Sequence, residues 1–135
     1  MALPKELPRH LLDGSLDSLH VVDAYLAKVH RQRRSISEIE WETTVLWGGA
    51  YVGEVIRHQR EGDFQWMDFN EYMPSHPELK TLIPERTVAT CAFLVGPRQA
   101  MSMPLNKVAR FIEDGAENSV HFFAVCDLNK KREGA

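Results

Sequence analysis

The sequence predicts a single α+β domain, in which an N-terminal antiparallel helix pair packs on a small antiparallel sheet and two C-terminal helices follow. Apolar residues recur every three or four positions over residues 16–32, and a second helical segment follows after a short link, which favours an antiparallel pair. Residues 86–95, RTVATCAFLV, are β-branched or apolar almost throughout, as is typical of a central strand. Helix-start signals recur before residues 104 and 120.

Length and composition agree with one domain. The chain has 135 residues, of which 44% are hydrophobic and 26% charged, and this length allows a core without a disulfide or a metal. We expect an N-terminal arm over residues 1–14, where Pro4 and Pro8 prevent a regular helix and leucines hold the arm on the domain surface. The domain itself is expected over residues 15–128 and a frayed, charged tail over residues 129–135.

Both N-terminal helices have clear start signals. Ser15 or Asp17 can cap the first helix, residues 16–32, by accepting hydrogen bonds from free N–H groups. Ser37 and Glu40 match a capping box, in which the Glu40 side chain reaches back to the Ser37 N–H. The second helix is expected to end at residue 59 or 60.

The sheet is predicted from three segments. Residues 64–69 alternate in part between large apolar and polar residues and predict a strand, whereas residues 86–95 predict the central strand. Residues 99–103 are expected to return as a short antiparallel partner. Between the first two strands, two prolines indicate a loop over residues 70–77, and residues 78–83 fit either a helical turn or a short strand.

The C-terminal part is predicted to hold two helices. Ser102 is the expected cap of the third helix, with Pro104 in its first turn. A last helix is expected over residues 120–128, although the same residues are β-prone and an edge strand is the alternative. The candidate caps of this helix are Asn118 and Ser119.

Charge and cysteine usage argue against several classes of protein. The net charge is −3 and the basic residues are scattered, apart from residues 31–34 and 130–132, which argues against a nucleic-acid partner. Cys91 and Cys126 lie in apolar runs and are interpreted as buried free thiols in a reducing compartment. No stretch has the apolar character of a membrane span or of a signal peptide. We therefore expect a cytoplasmic protein without a membrane partner.

The second helix contains three glycines, Gly48, Gly49 and Gly53. Each glycine inside a helix costs about 1 kcal/mol relative to alanine, so a gain elsewhere must offset roughly 3 kcal/mol. Gly49 and Gly53 share a face of the helix, which indicates that another backbone packs closely there. The alternative is that this small face leaves room for a ligand or a partner.

Glu54 places a carboxylate in an apolar part of the same helix. Such a group must reach water, form a pair or have a raised pKa, and Arg57 and His58 lie three and four residues further on. We expect Glu54 to be poorly exposed and hydrogen-bonded to backbone, to Arg57 or to Trp66, which ties the helix end to the next strand. A general base, a ligand-binding carboxylate and a solvated pair with His58 remain as alternatives.

Aromatic residues concentrate around this helix and the strand after it. Trp41 and Trp47 lie on different faces, because six residues turn a helix by about 600°, so we expect at least one of them outside the main core. An exposed tryptophan is typical of a partner-binding surface; the alternative is that the N-terminal arm covers it. The residues predicted to bind a ligand or partner are Glu54, His58, Trp47, Tyr51 and Trp66.

No sequence motif commits the chain to a reaction. The sequence contains no HExxH, CxxC, GxSxG, P-loop or GxGxxG pattern, and its six histidines are dispersed. Glu54 and His58 lie one helical turn apart and could both bind a metal, but two ligands are a weak match. We therefore predict no catalytic residue, no cofactor and no metal site.

The stretch WGGAYVGEVIRHQREGDFQW, residues 47–66, resembles a pattern of small uncharacterised bacterial domains, in which a helical GAYxGE sequence precedes a Trp-bearing strand. Residues 104–120 resemble the rest of that pattern, and the resemblance covers about residues 12–128. It implies an α+β fold in a bacterial protein and no particular activity. Some small bacterial domains of this general sort occur near toxin or secretion loci. The matching residues are Gly49, Ala50, Tyr51, Gly53, Glu54 and Trp66.

Three functions are compatible with these features. The first is a non-enzymatic protein-binding domain, of the accessory or immunity type, that uses an aromatic and acidic surface. The second is a small-molecule-binding or hydrolytic domain with its site at Glu54, His58 and Trp66. The third is a structural homodimer that pairs through the second helix.

Overall fold

A computed structural model describes residues 7–133, without the side chains of residues 99 and 130–133, and over this range it contains five α-helices and one three-stranded antiparallel sheet. The predicted α+β class is confirmed. In chain order the elements are α1 (Leu19–Arg31), α2 (Glu38–Gln59), β1 (Gln65–Asp68), α3 (Phe69–Tyr72), β2 (Ala92–Val95), β3 (Met101–Ser102), α4 (Pro104–Asp114) and α5 (Val120–Glu133).

Helix α1 begins three residues later than predicted because its cap first closes a tighter turn. The Ser15 hydroxyl accepts a hydrogen bond from the Ser18 N–H at 3.2 Å, and Leu16–Ser18 forms a 3-10 turn. The regular helix then starts at Leu19. The predicted apolar face is buried from there on, at Leu19, Val22, Leu26 and Val29.

The start of α2 follows the predicted capping signal only in part. The Ser37 hydroxyl accepts a hydrogen bond from the Glu40 N–H at 3.1 Å, as expected. The Glu40 carboxylate accepts from the Ser37 hydroxyl at 3.3 Å instead of reaching the Ser37 N–H. The helix ends at Gln59, within the predicted bounds.

The glycines of α2 mark the place where α4 packs against it. A Cβ atom added to Gly49 would lie 2.6 Å from the Cα of Leu105, and one added to Gly48 would lie 3.2 Å from a methyl group of Val108. The predicted close approach of a second backbone is therefore confirmed at Gly49. Helix α4 also makes extensive contacts with α1, a central role that the sequence did not indicate.

The sheet has the order β1-β2-β3, with both pairs antiparallel. The predicted central strand is central, but it starts at Ala92 and not at residue 86. Residues Val88–Thr90 form a 3-10 turn instead, because the Thr90 hydroxyl accepts from the Thr87 N–H at 2.7 Å and donates to the Glu85 carbonyl at 2.9 Å. Such local side-chain hydrogen bonds compete with strand pairing.

The connection between β1 and β2 is built from short helical turns. Helix α3 and the 3-10 turn Met73–Ser75 occupy most of the predicted loop at residues 70–77. The turn Pro77–Leu79 gives residues 78–83 a helical beginning and decides between the two alternatives for that segment. One buried residue of this connection, Ile83, joins a small second core with Tyr72, Phe93 and Val95.

The C-terminal helices differ from the prediction at their ends. Met103, not Ser102, occupies the cap position of α4, because Ser102 is the last residue of β3 and its hydroxyl donates to Asp127 at 2.8 Å. Helix α5 confirms the helical alternative, and its Phe122 N–H donates to the Ser119 hydroxyl at 3.1 Å. Helix α5 extends to Glu133, into the charged tail expected at residues 129–135; residues 134 and 135 lie outside the described part.

The arm contacts the domain over the residues that the structure describes. Leu7 is 2% exposed, and the Gly14 N–H donates to the Tyr51 hydroxyl at 3.0 Å. Residues 1–6, with Pro4, lie outside the described range. Cys91 and Cys126 are free thiols as predicted, but both are only partly buried. Within residues 7–133, no helix has the length and apolar character needed to cross a membrane.

Candidate functional site

Glu54, the first of the predicted site residues, is bound to the strand that follows its helix. The Trp66 ring from β1 lies against Gly53 and occupies the space that a side chain would fill there. Its indole N–H donates to Glu54 Oε2 at 2.7 Å. The third glycine of α2 therefore accommodates a ring and positions that ring to bind the neighbouring carboxylate.

Arg57 and His58 complete a small polar cluster around Glu54. The Nη1 atom of Arg57 lies 2.9 Å and 2.8 Å from the two Glu54 oxygens, and the His58 ring lies 3.8 Å from Glu54 Oε1. The predicted hydrogen bonds to Arg and Trp are confirmed. The predicted poor exposure is wrong, since 41% of the Glu54 side chain is exposed: the carboxylate points along the helix surface toward Arg57.

The surroundings of Glu54 favour its charged form. Partial burial acts to raise the pKa of Glu54, but the hydrogen bonds from Arg57 and Trp66 and the charges of Arg57 and His58 together lower the pKa below its ordinary value. A general base works best with a pKa near the operating pH. Glu54 is therefore an ionised anchor and a weak base at neutral pH.

A small cavity of about 250 Å³ lies beside this cluster. It is smaller than the about 300–1,000 Å³ typical of ligand pockets. Its walls are formed by Arg57, His58, Glu61, Gly62 and Phe64. Of the predicted trio Glu54, His58 and Trp66, only His58 lines this cavity.

Trp47 and Tyr51 lie in a different part of α2 and face α1. The Tyr51 hydroxyl lies 2.7 Å from the Ser18 hydroxyl at the start of α1. Trp47 is 4% exposed, with its ring 5.7 Å from that of Tyr25. The structure thus separates the five predicted residues into two groups, and Trp47 is too deeply buried to meet a partner. Trp41 is partly buried against the main core.

An apolar concave surface lies elsewhere, in the connection between β1 and β2. We call it the 69–84 groove. It has a volume of about 330 Å³, and Leu82, next to it in the chain, is 79% exposed. The groove is lined by Phe69, Asn70, Met73, Pro74, Pro77, Lys80, Ile83 and Pro84. The sequence did not predict it, because prolines and scattered apolar residues indicate a loop and not the shape of that loop.

The exposed charged residues of the segment that forms the 69–84 groove are mainly acidic. Glu71, Glu78 and Glu85 are exposed, against the single Lys80 in the same segment. The next cation, Arg86, is paired with Asp68 at 3.0 Å. This segment of the chain therefore carries an excess of negative charge.

A wider and more polar cleft of about 530 Å³ lies between β3, α4 and α5. Its polar groups are largely paired with one another: Ser102 donates to Asp127 at 2.8 Å and Lys107 donates to Asn118 at 3.2 Å. Arg110 also lines the cleft. These contacts join β3 to α5, and α4 to the 3-10 turn Ala116–Asn118 that precedes α5.

Comparison with known proteins adds no assignment. No protein-family model, no curated protein and no solved structure matches the chain. The resemblance to small bacterial domains with a GAYxGE helix therefore stays a prediction.

Proposed function

We propose that this chain is a non-enzymatic protein-binding domain of the accessory or immunity type, and that its partner inserts an apolar side chain into the 69–84 groove. The observation that carries the proposal is the groove itself, with the 79% exposed Leu82 beside it. Exposed apolar surface next to a concave site is typical of protein–protein contact. Loops held by a rigid scaffold often carry such sites.

The chemistry of the groove supports binding and not catalysis. Its lining is apolar except for Asn70 and Lys80, which do not form an acid–base pair. The exposed acidic residues of the same segment, Glu71, Glu78 and Glu85, complement a basic surface on the partner. The proposed partner is thus a protein with an exposed apolar side chain surrounded by Lys or Arg.

The proposed scaffold is the predicted antiparallel pair of α1 and α2 beside the small sheet. Ser18 contacts Tyr51, and Tyr25, further along α1, contacts Trp47, which comes earlier in α2. The two helices therefore run in opposite directions, as expected for an antiparallel pair. We also place the protein in a bacterial cytoplasm as part of the proposal. Two free cysteines support a reducing compartment.

The small-molecule-binding or hydrolytic alternative has one observation in its favour, the cavity beside His58. Glu54 and Trp66 are bound to each other, so a ligand there would contact mainly Arg57, His58 and Glu61. The homodimer alternative loses support, because α4 and Trp66 already cover the glycine face of α2.

The test uses two apolar residues of equal exposure. Leu82 is 79% and Ile39 77% exposed. Leu82 directly precedes the lining residues Ile83 and Pro84 in the chain, whereas Ile39 lies in the first turn of α2. Leu82→Glu is expected to abolish capture of the partner from an extract of the source organism, whereas Ile39→Glu is expected to retain it. The measurement is quantitative mass spectrometry of proteins retained by each immobilised variant.

A charge reversal at exposed Glu78 tests the kind of partner. Glu78→Lys is expected to weaken binding of the captured protein at low salt, with a smaller difference at high salt. A captured protein that binds Leu82→Glu as well as the unmodified chain would contradict the proposal. Capture that is lost equally in Leu82→Glu and Ile39→Glu would contradict it as well.

A further inference from the structure

Three possible metal ligands converge at a place that the proposed function does not use. Asp17 lies in the 3-10 turn before α1, His20 in the first turn of α1, and His121 in the first turn of α5. One ligand atom from each lies within 4.8 Å of the other two. The sequence could not show this cluster, because 100 residues separate His20 from His121.

The two histidines are held side by side by the packing of α5 on α1. Their rings stack with centroids 3.8 Å apart and an angle of 23° between planes. Asp23 of α1 fixes the start of α5, where its carboxylate accepts from the Val120 N–H at 2.7 Å and from the Ser119 hydroxyl at 2.6 Å. The backbones that carry both imidazoles are thus joined independently of any ion.

We infer that Asp17, His20 and His121 form a binding site for a divalent transition-metal ion such as Zn²⁺. Two imidazoles and one carboxylate are a donor set that suits zinc and its neighbours and not Ca²⁺ or Mg²⁺. Three protein ligands leave a further position for water.

The required movement is small. Zn²⁺ with bonds of about 2.0–2.1 Å to nitrogen or oxygen places its tetrahedral ligands about 3.3 Å apart, and the present spacing is up to 4.8 Å. Nitrogen lone pairs lie in the imidazole planes, so the His20–His121 stack has to open for both rings to bind one ion. Asp17 and His20 are exposed, which leaves room for their side chains to rotate.

Bound metal ties the start of α1 to the start of α5. Because the unfolded chain does not hold these residues together, an ion bound at the site stabilises the folded state. At a free Zn²⁺ concentration of about 100 times Kd, we expect the melting temperature to rise by about 10 °C.

The experiment titrates Zn²⁺ into the full chain by isothermal calorimetry and follows the melting temperature. One ion per chain is expected. His20→Gln and His121→Gln are each expected to raise Kd by more than about tenfold, since even the loss of outer-shell partners costs about 10–100-fold. Asp17→Asn is expected to weaken binding as well.

Two other histidines serve as matched controls. His10→Gln removes an exposed imidazole outside the cluster, and His58→Gln removes the one beside Glu54 and Glu61; both variants are expected to bind Zn²⁺ like the unmodified chain. Circular dichroism of the metal-free variants checks folding. If His121→Gln does not fold, the Zn²⁺ affinity of His20→Gln decides the result, because His20 is exposed and its replacement is compatible with folding.

Three results would overturn the inference. The first is the absence of saturable Zn²⁺ binding by the unmodified chain. The second is binding that survives both His20→Gln and His121→Gln. The third is binding that His58→Gln removes, which places the ion at the Glu54 cluster.

Discussion

The glycine-rich half of α2 and the connection between β1 and β2 differ in how the residues of each are covered by the rest of the fold. In α2, each glycine faces a neighbour, either α4 or the ring of Trp66, and the Glu54 carboxylate is bound to Arg57 and Trp66. The connection has no single unusual residue, yet it leaves an apolar groove and exposed Leu82. Glycine and glutamate residues that destabilise a helix can therefore be explained by the packing of neighbouring elements. A loop of ordinary composition, by contrast, can leave an apolar surface exposed.

Gly49→Ala tests the close packing of α2 against α4, and it has the largest expected effect on stability. The new Cβ would lie 2.6 Å from the Leu105 backbone, which no side-chain rotation relieves. Overpacking of this kind costs about 1–3 kcal/mol or more, against a gain of about 1 kcal/mol in helix propensity. Because the contact is with backbone, we expect a cost near the upper end of that range and a net loss of up to about 2 kcal/mol in the free energy of unfolding, measured in urea.

Gly48→Ala is the matched control for that substitution. Its Cβ would lie 3.2 Å from a methyl group of Val108, which can shift slightly. The gain in helix propensity of about 1 kcal/mol then offsets most of the cost. A Gly49→Ala variant as stable as Gly48→Ala would contradict the close packing of α2 on α4.

Glu54→Gln tests how much the hydrogen bonds of Glu54 stabilise the fold, and its expected effect is smaller than that of Gly49→Ala. The substitution weakens the charge-assisted bonds to Arg57 and Trp66, and since 41% of the side chain is exposed, solvent screening limits the loss to about 1 kcal/mol. The pKa of Glu54 is lowered from its ordinary 4.5. The stabilisation by its charge is therefore present above about pH 4.5 and lost as pH falls through the lowered folded pKa.

The direction of this pH dependence is checked by measuring the free energy of unfolding of the unmodified chain and of Glu54→Gln at several pH values. The difference between the unmodified chain and Glu54→Gln is expected to be constant at neutral pH and to shrink on acidification below pH 4.5. A difference that grows on acidification would mean that the fold raises the pKa of Glu54, as a general base working near neutral pH requires.

Leu82→Glu tests whether the exposed side chain beside the 69–84 groove is needed for folding, and it has the smallest expected effect on stability. Because Leu82 is 79% exposed, its replacement is expected to change the free energy of unfolding by no more than about 0.5 kcal/mol. Ile39→Glu should behave alike. A large loss in Leu82→Glu alone would show that this side chain supports the fold and would remove the main support for a binding role.

Local patterns in the sequence predicted the helices well and the strands partly. The apolar face of α1, the Ser37 cap and the bond between Glu54 and Trp66 all depend on neighbouring residues or on one adjacent element. The strand start at residue 86 was wrong because the hydroxyls of Thr87 and Thr90 form a turn that β propensity does not reveal. The cap at Ser102 was wrong because a distant Asp127 takes its hydroxyl.

Contacts between elements that are distant in the chain could not be predicted from the sequence. The 69–84 groove depends on how several short turns fold over β2, and the cluster of Asp17, His20 and His121 depends on the packing of α5 against α1. Trp47 was predicted at a partner surface, but the same packing buries it beside Tyr25. Periodicity gives the face of a helix and not the identity of what covers it.

The central claim is that α2 uses its polar and glycine residues for packing while the groove binds the partner. The most direct test compares partner retention by Glu54→Gln and Leu82→Glu in one capture experiment. We predict that Glu54→Gln retains the partner despite its lower stability and that Leu82→Glu loses the partner with unchanged stability. Loss of the partner in Glu54→Gln together with its retention in Leu82→Glu would contradict the account.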